Sequence, residues 1–182
     1  MTFVVPTNWS SSTPTSAANL QKSTDAINAL NRDAFWLPPQ ALSNANGTLA
    51  SFVGDSPAAL VGDATHDNGA KFGVLLPTDM NASTGLASAY LYAICTVAGT
   101  NNVRFSLTGT KRQVASGTGT ALTGIAATNI SMTANVLTRI DISAGLAGWT
   151  PAYVVGITAN HLGSVDGLAT VYFLGVSLSC TQ

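Results

Sequence analysis

Two histidines, eight aspartates and two cysteines carry most of the reactive chemistry this 182-residue chain offers, and it has no Glu. A hydrolytic triad needs a His oriented by a carboxylate beside a Ser or Cys. His161 has Asp166 five residues on, but the intervening Leu-Gly-Ser-Val reads as a hairpin turn at a strand end. No Gly-x-Ser-x-Gly elbow is present. The densest polar cluster is GDATHDNG (62–69), where Asp63, His66, Asp67 and Asn68 carry oxygen and nitrogen ligands. Its spacing does not follow a calcium loop and no distal Glu completes it, so it reads as a solvated loop. Paired catalytic carboxylates would need two acids held close together, one with a raised pKa. Asp55, Asp63, Asp79 and Asp166 instead stand in Gly- or Pro-marked turn contexts, which suit an Asp side chain that bonds its own backbone. Asp141, within RIDIS, is placed to pair with Arg139 on one strand face. Cys95 and Cys180 each sit in an apolar run and read as buried free thiols, too few for a zinc site. The expectation is no catalytic residue, no cofactor and no metal.

The chemistry that remains is recognition. Trp9, Trp36, Trp149 and four Tyr are the large aromatic groups with a polar handle. Such residues serve equally as sugar platforms and as protein-interface anchors. Trp149, in LAGWTPAY, precedes a strand in a loop-like setting that suits either role.

Composition points to assembly. The chain is 46% hydrophobic and 8% charged, against about 25% charged in an average soluble domain. Its surface must be covered by Ser, Thr, Asn and Ala, or be buried against partners. The formal net charge of −1 argues against nucleic acid or an anionic membrane as partner. No run approaches the ~18 apolar residues of a membrane span. MTFVVP at the start shows no basic region or long apolar run, so the expectation is synthesis in a cytoplasm. The sequons at Asn8, Asn46, Asn81 and Asn129 are then chance in a Ser/Thr-rich chain.

Two elements must position these groups. Residues 1–33 comprise a polar arm (7–16) carrying Trp9, then a helix over 17–33. Leu20, Ile27 and Leu30 form a narrow stripe on that helix, which must pack on something to be stable. This segment is assigned to docking or oligomerisation, with Trp9, Leu20, Ile27, Leu30, Trp36 and Trp149 as partner-binding residues.

Residues 34–182 change to short strands: FWLPP (35–39), 47–54, 58–62, 70–77, 87–97, 102–110, 134–144, 150–160 and 168–180. Val103, Phe105 and Leu107 alternate with Arg104, Ser106 and Thr108, the period of a half-buried strand. Asn101–Asn102 after Gly99 predicts a hairpin between 87–97 and 102–110. The Gly/Thr/Ala-rich stretch 115–129 predicts a long loop with one weak strand. No helix is expected in this part. Eight to ten strands without crossover helices predict an all-β fold, an antiparallel jelly-roll β-sandwich of two four-stranded sheets. The runs 87–97 and 168–180 are apolar on both faces, which predicts that the outer face of a sheet is covered.

The pattern resembles virion structural proteins of tailed bacteriophages. The residues that carry the resemblance are AANLQKSTDAINALN (17–31) after a Trp-bearing arm, FWLPP, NVRFSL and the closing pair of strands. The resemblance implies a virion location after assembly in the host cytoplasm. It implies a capsid-decorating, or cement, protein that forms a homo-oligomer, a trimer, and binds the major capsid protein or other virion proteins. The alternative it implies is a short tail or head fibre with a jelly-roll tip that binds a host glycan.

Overall fold

The computed structural model describes residues 32–43, 48–51, 57–76, 86–113, 118–147 and 152–181. The polar arm with Trp9, residues 17–31 of the expected helix with Leu20, Ile27 and Leu30, and Trp149 lie outside the described residues, whereas Arg32 and Asp33, expected to end that helix, open a strand instead. The chain divides between Arg32 and Asp33 into two units, and the β fold is that of the second, Asp33–Gln182.

Twelve strands are found among the described residues: β1 (Arg32–Leu37), β2 (Ala41–Ser43), β3 (Thr48–Ser51), β4 (Pro57–Leu60), β5 (Asp67–Leu75), β6 (Leu86–Cys95), β7 (Thr100–Gln113), β8 (Thr120–Ala121), β9 (Ile125–Thr133), β10 (Thr138–Asp141), β11 (Tyr153–Leu162) and β12 (Val171–Thr181). They form two sheets of six rather than four strands. The first runs β10-β6-β12-β4-β3 with β1 also on β12, the second β2-β5-β11-β7-β8 with β9 also on β7.

The pairing is that of a ribbon doubled at the β7–β9 hairpin and rolled up. Successive antiparallel pairs are β7 with β9, β6 with β10, β5 with β11 and β4 with β12. Rolling then sets β12 beside β6 and β11 beside β7. These eight strands make a jelly roll, and the sandwich class expected from the strand spacing is the one observed.

Alternation fills the space between the sheets. Val103, Phe105 and Leu107 of β7 and Val155, Ile157 and Ala159 of β11 point inward from one sheet. Leu91 and Ala93 of β6 and Phe173, Val176 and Leu178 of β12 meet them from the other. Each large apolar side chain so buried contributes about 1.5–3 kcal/mol. Cys95 and Cys180 are both buried, each a thiol rather than half of a disulfide, at opposite ends of the β6–β12 ladder. Cys95 faces Val171 and Cys180 faces Leu86.

Four local expectations are corrected. The turn at Val97–Gly99 does not close a hairpin: β6 belongs to the first sheet and β7 to the second, so the chain arches across the end of the sandwich. Gly99 at φ 89° makes the turn, and the Asn101 amide donates to the Val97 carbonyl at 2.9 Å. Turn chemistry marks a reversal without saying which sheet the returning strand joins. Of the stretch 115–129, residues 125–129 belong to a full strand, β9, rather than to a loop. Their Ala and Asn have weak β preference, but pairing with β7 from Thr100 to Leu107 supplies the ladder. Among the described residues two short helical turns, a 3-10 turn at Ser143–Leu146 and an α-helical turn at Gly163–Asp166, interrupt the expected run of strands. His161 lies within β11 and not in a hairpin turn, because β11 and β12 belong to opposite sheets and the α-helical turn joins them. Among the described residues no helix is long and apolar enough to cross a membrane.

Candidate recognition surfaces

Most of the reactive groups gather at one end of the sandwich. His161 is 0% exposed and points inward beside Phe105. Its Nδ1 donates to the Val61 carbonyl at 2.9 Å, and its Nε2 lies 3.0 and 3.1 Å from the Asp166 oxygens. Asp166 also accepts the Arg104 backbone N–H at 2.7 Å and that of Leu168 at 3.0 Å. The pair therefore ties β11, β7 and the chain after β4 together, and both ring nitrogens are occupied. Ser164, the nearest hydroxyl in sequence, donates to Asp67 at 2.5 Å rather than facing the imidazole. Gly163 packs so closely on the Asp63 carbonyl that a Cβ would collide with it. Asn68, opposite His161 in register, is buried with no partner for its amide nitrogen or oxygen among the described residues.

The polar loop before β5 is knit to itself. Asp63 Oδ1 accepts the Thr65 N–H at 2.9 Å and its hydroxyl at 2.8 Å, and His66 Nδ1 lies 3.1 Å from Asp63 Oδ2. The Thr65 N–H and hydroxyl, more than His66, hold the Asp63 carboxyl below its ordinary pKa. Among the described residues no group of three His, Cys, Asp or Glu side chains is arranged to hold a metal ion.

The outer face of the first sheet is different. Residues paired across antiparallel strands share a face. One row there is Arg139, Tyr92 and Gly175, and the next is Asp141, Tyr90 and Ser177. A third holds Ile94, Tyr172 and Leu60. Phe35 and Leu37 turn β1 inward, which sends Trp36 outward. Its indole lies over Gly175, where any Cβ would strike the ring. Trp36 and Tyr92 meet at 5.4 Å between centroids with planes 58° apart, yet Trp36 stays 53% exposed. The Arg139 guanidinium sits 4.4 Å from the Tyr90 ring centroid. Asp141 does not form the ion pair expected with Arg139: its Oδ1 accepts the Ser143 hydroxyl at 2.6 Å and the Ser143 N–H at 2.9 Å. Those two bonds, with a smaller contribution from Arg139, lower its pKa.

The outer face of the second sheet carries smaller side chains. Lys71, Thr158 and Thr108 form one row, Gly73, Gly156 and Thr110 the next, and Leu75, Val154 and Arg112 a third. Gly156, with Lys71, Thr108, Thr110 and Thr158, lines a shallow groove of about 340 Å³. Leu75 and Val154 stand side by side, 60% and 50% exposed.

Of the six residues singled out in the sequence for partner binding, Trp36 alone is among the described residues. Tyr90, Tyr92, Arg139 and Gly175 around it were not singled out for that role. Only the cross-strand register gathers them, and a linear sequence does not carry it.

No family model matches the chain, and no curated protein does. Solved structures similar to it include the following two. An arabinose-bound α-L-arabinofuranosidase shares 16% identity at a TM-score of 0.41, over 78% of this chain and 24% of that one. The family 11 carbohydrate-binding module of Clostridium thermocellum, in complex with a β-1,3-1,4-mixed-linked tetrasaccharide, shares 13% identity at a TM-score of 0.36, over 82% and 88%. This chain thus spans about a quarter of the arabinofuranosidase's length. At these scores the likeness carries no argument about function.

Proposed function

We propose that this protein is a structural assembly module. In this reading the jelly roll packs against copies of itself as a trimer and decorates the capsid of a tailed bacteriophage. The observation that carries the assembly reading is Leu75 beside Val154, both outward and at least half exposed on the second sheet. They share their row with Arg112, in a chain that is 8% charged overall. The small glycine and threonine side chains in the outer rows of the second sheet suit face-to-face packing at the usual ~10 Å between sheets. Trimer, capsid and major capsid protein come from the resemblance in the sequence and are part of the proposal.

The mechanism is burial of area. Obligate interfaces bury about 2,000 Å² or more and resemble a domain core cut in half. Binding to a repeating lattice then stabilises the shell by mass action. The fibre alternative parts from this on copy number. Quantitative mass spectrometry of purified particles tests it: hundreds of copies per particle supports decoration, and a few dozen at one vertex replaces it with a fibre.

A further inference from the structure

We propose that the outer face of the first sheet binds a neutral oligosaccharide, with Trp36 as the stacking surface and Arg139 and Asp141 reading the hydroxyls. The inference stands on this face alone and does not depend on the assembly reading.

A pyranose has an apolar C–H face and a rim of hydroxyls that both donate and accept. The face supplies a match for each. Trp36 is laid down on Gly175 and braced by Tyr92, so the indole is held in place while half its surface stays open. A ring fixed this way offers contact area at little entropic cost. Arg139 stands directly across from Tyr92 and stacks on Tyr90, and among the described residues no acceptor takes its N–H groups. Its fork is free to donate to adjacent hydroxyl oxygens. Asp141, two residues along β10, spends Oδ1 on Ser143 and keeps Oδ2 for a hydroxyl proton.

Charge and size narrow the ligand. Among the described residues one guanidinium and one carboxylate cancel, so these give the face no net charge with which to select an anionic sugar. From β10 to β12 the platform is about 10 Å wide, two strand spacings, which seats one or two sugar rings. Ser88 and Ser177 border it on β6 and β12.

The test is affinity electrophoresis of the full chain in gels containing a β-glucan, a xylan, a mannan or an α-glucan. At least one gel should retard it, and the matching hexasaccharide should bind in calorimetry. Trp36→Ala and Arg139→Ala should each weaken binding about tenfold or more, while Trp36→Phe retains most of it. Val165→Ser, on the helical turn, is the surface control and should leave binding unchanged. Circular dichroism and oligomeric mass are measured on every variant, so loss of folding is not read as loss of a contact. No retardation in any gel overturns the proposal, as does equal retardation of Trp36→Ala and the native chain. Unretarded protein whose oligomer falls apart on Trp36→Ala also overturns it, and makes the face a protein interface.

Discussion

Asp141 has the chemistry of a surface carboxylate set by its neighbour two residues on. Ser143 donates its hydroxyl and its N–H to one oxygen, and this favours the ionised form in the fold. A carboxylate with a lowered folded pKa stabilises the protein above its unfolded pKa, about 3.9, and loses that contribution as pH falls through the folded value. Ser143→Ala should therefore raise the Asp141 pKa toward the ordinary carboxylate value in a carboxyl-carbon NMR titration. The variant's stability should then fall less between pH 4 and pH 2 than that of the native chain. His161 is the opposite case, a buried group whose two nitrogens both face acceptors. Removing it strands the Val61 carbonyl and takes one donor from Asp166. His161→Ala should cost about 2–4 kcal/mol in denaturant unfolding. A loss under about 1 kcal/mol would show that the latch is not structural. The sequence placed His161 and Asp166 five apart but gave no sign that both nitrogens were spoken for. That depends on Val61, a hundred residues away in the chain.

At the scale of elements, alternation was legible and connectivity was not. Val103, Phe105 and Leu107 read as one buried face of a strand, and they are. Local signals failed where they had to stand for a distant pairing. Gly99 and the asparagines after it announced a turn, but the choice between hairpin and arch belongs to β10 and β12, which flank β6. Residues 125–129 fall in a Gly/Thr/Ala-rich stretch that reads as loop, and become strand because β7 extends fourteen residues and offers them an edge. Gly175 was likewise illegible: its role is to let Trp36 lie on β12. Gly175→Val should lift the indole off the strand, seen as a red shift in tryptophan emission, with a small stability loss because Trp36 is already half exposed. An unchanged spectrum with unchanged stability would mean the indole does not rest there. Deleting residues 1–31 keeps β1 and should leave a folded β-sandwich by far-ultraviolet circular dichroism. Loss of cooperative unfolding would show that the jelly roll is not self-sufficient.

For the whole molecule, nested strand pairs close a core that carries few polar side chains among the described residues, and the distinctive chemistry lies on the outer faces. A chain with 8% charge places Leu75 and Val154 together on one sheet and Trp36 on the other. Composition alone points to assembly, and the outward apolar groups give that expectation particular residues. Charge introduced at that pair should then act on association and not on folding. Leu75→Lys with Val154→Lys should lower the oligomeric state while leaving the thermal midpoint of the separated chain within a few degrees. The central claim, that the molecule works by assembling, is tested most directly by light scattering of the purified native chain at micromolar concentration. The account predicts a mass of three chains, reduced toward one by the double lysine variant. A native chain that is monomeric under those conditions would contradict it.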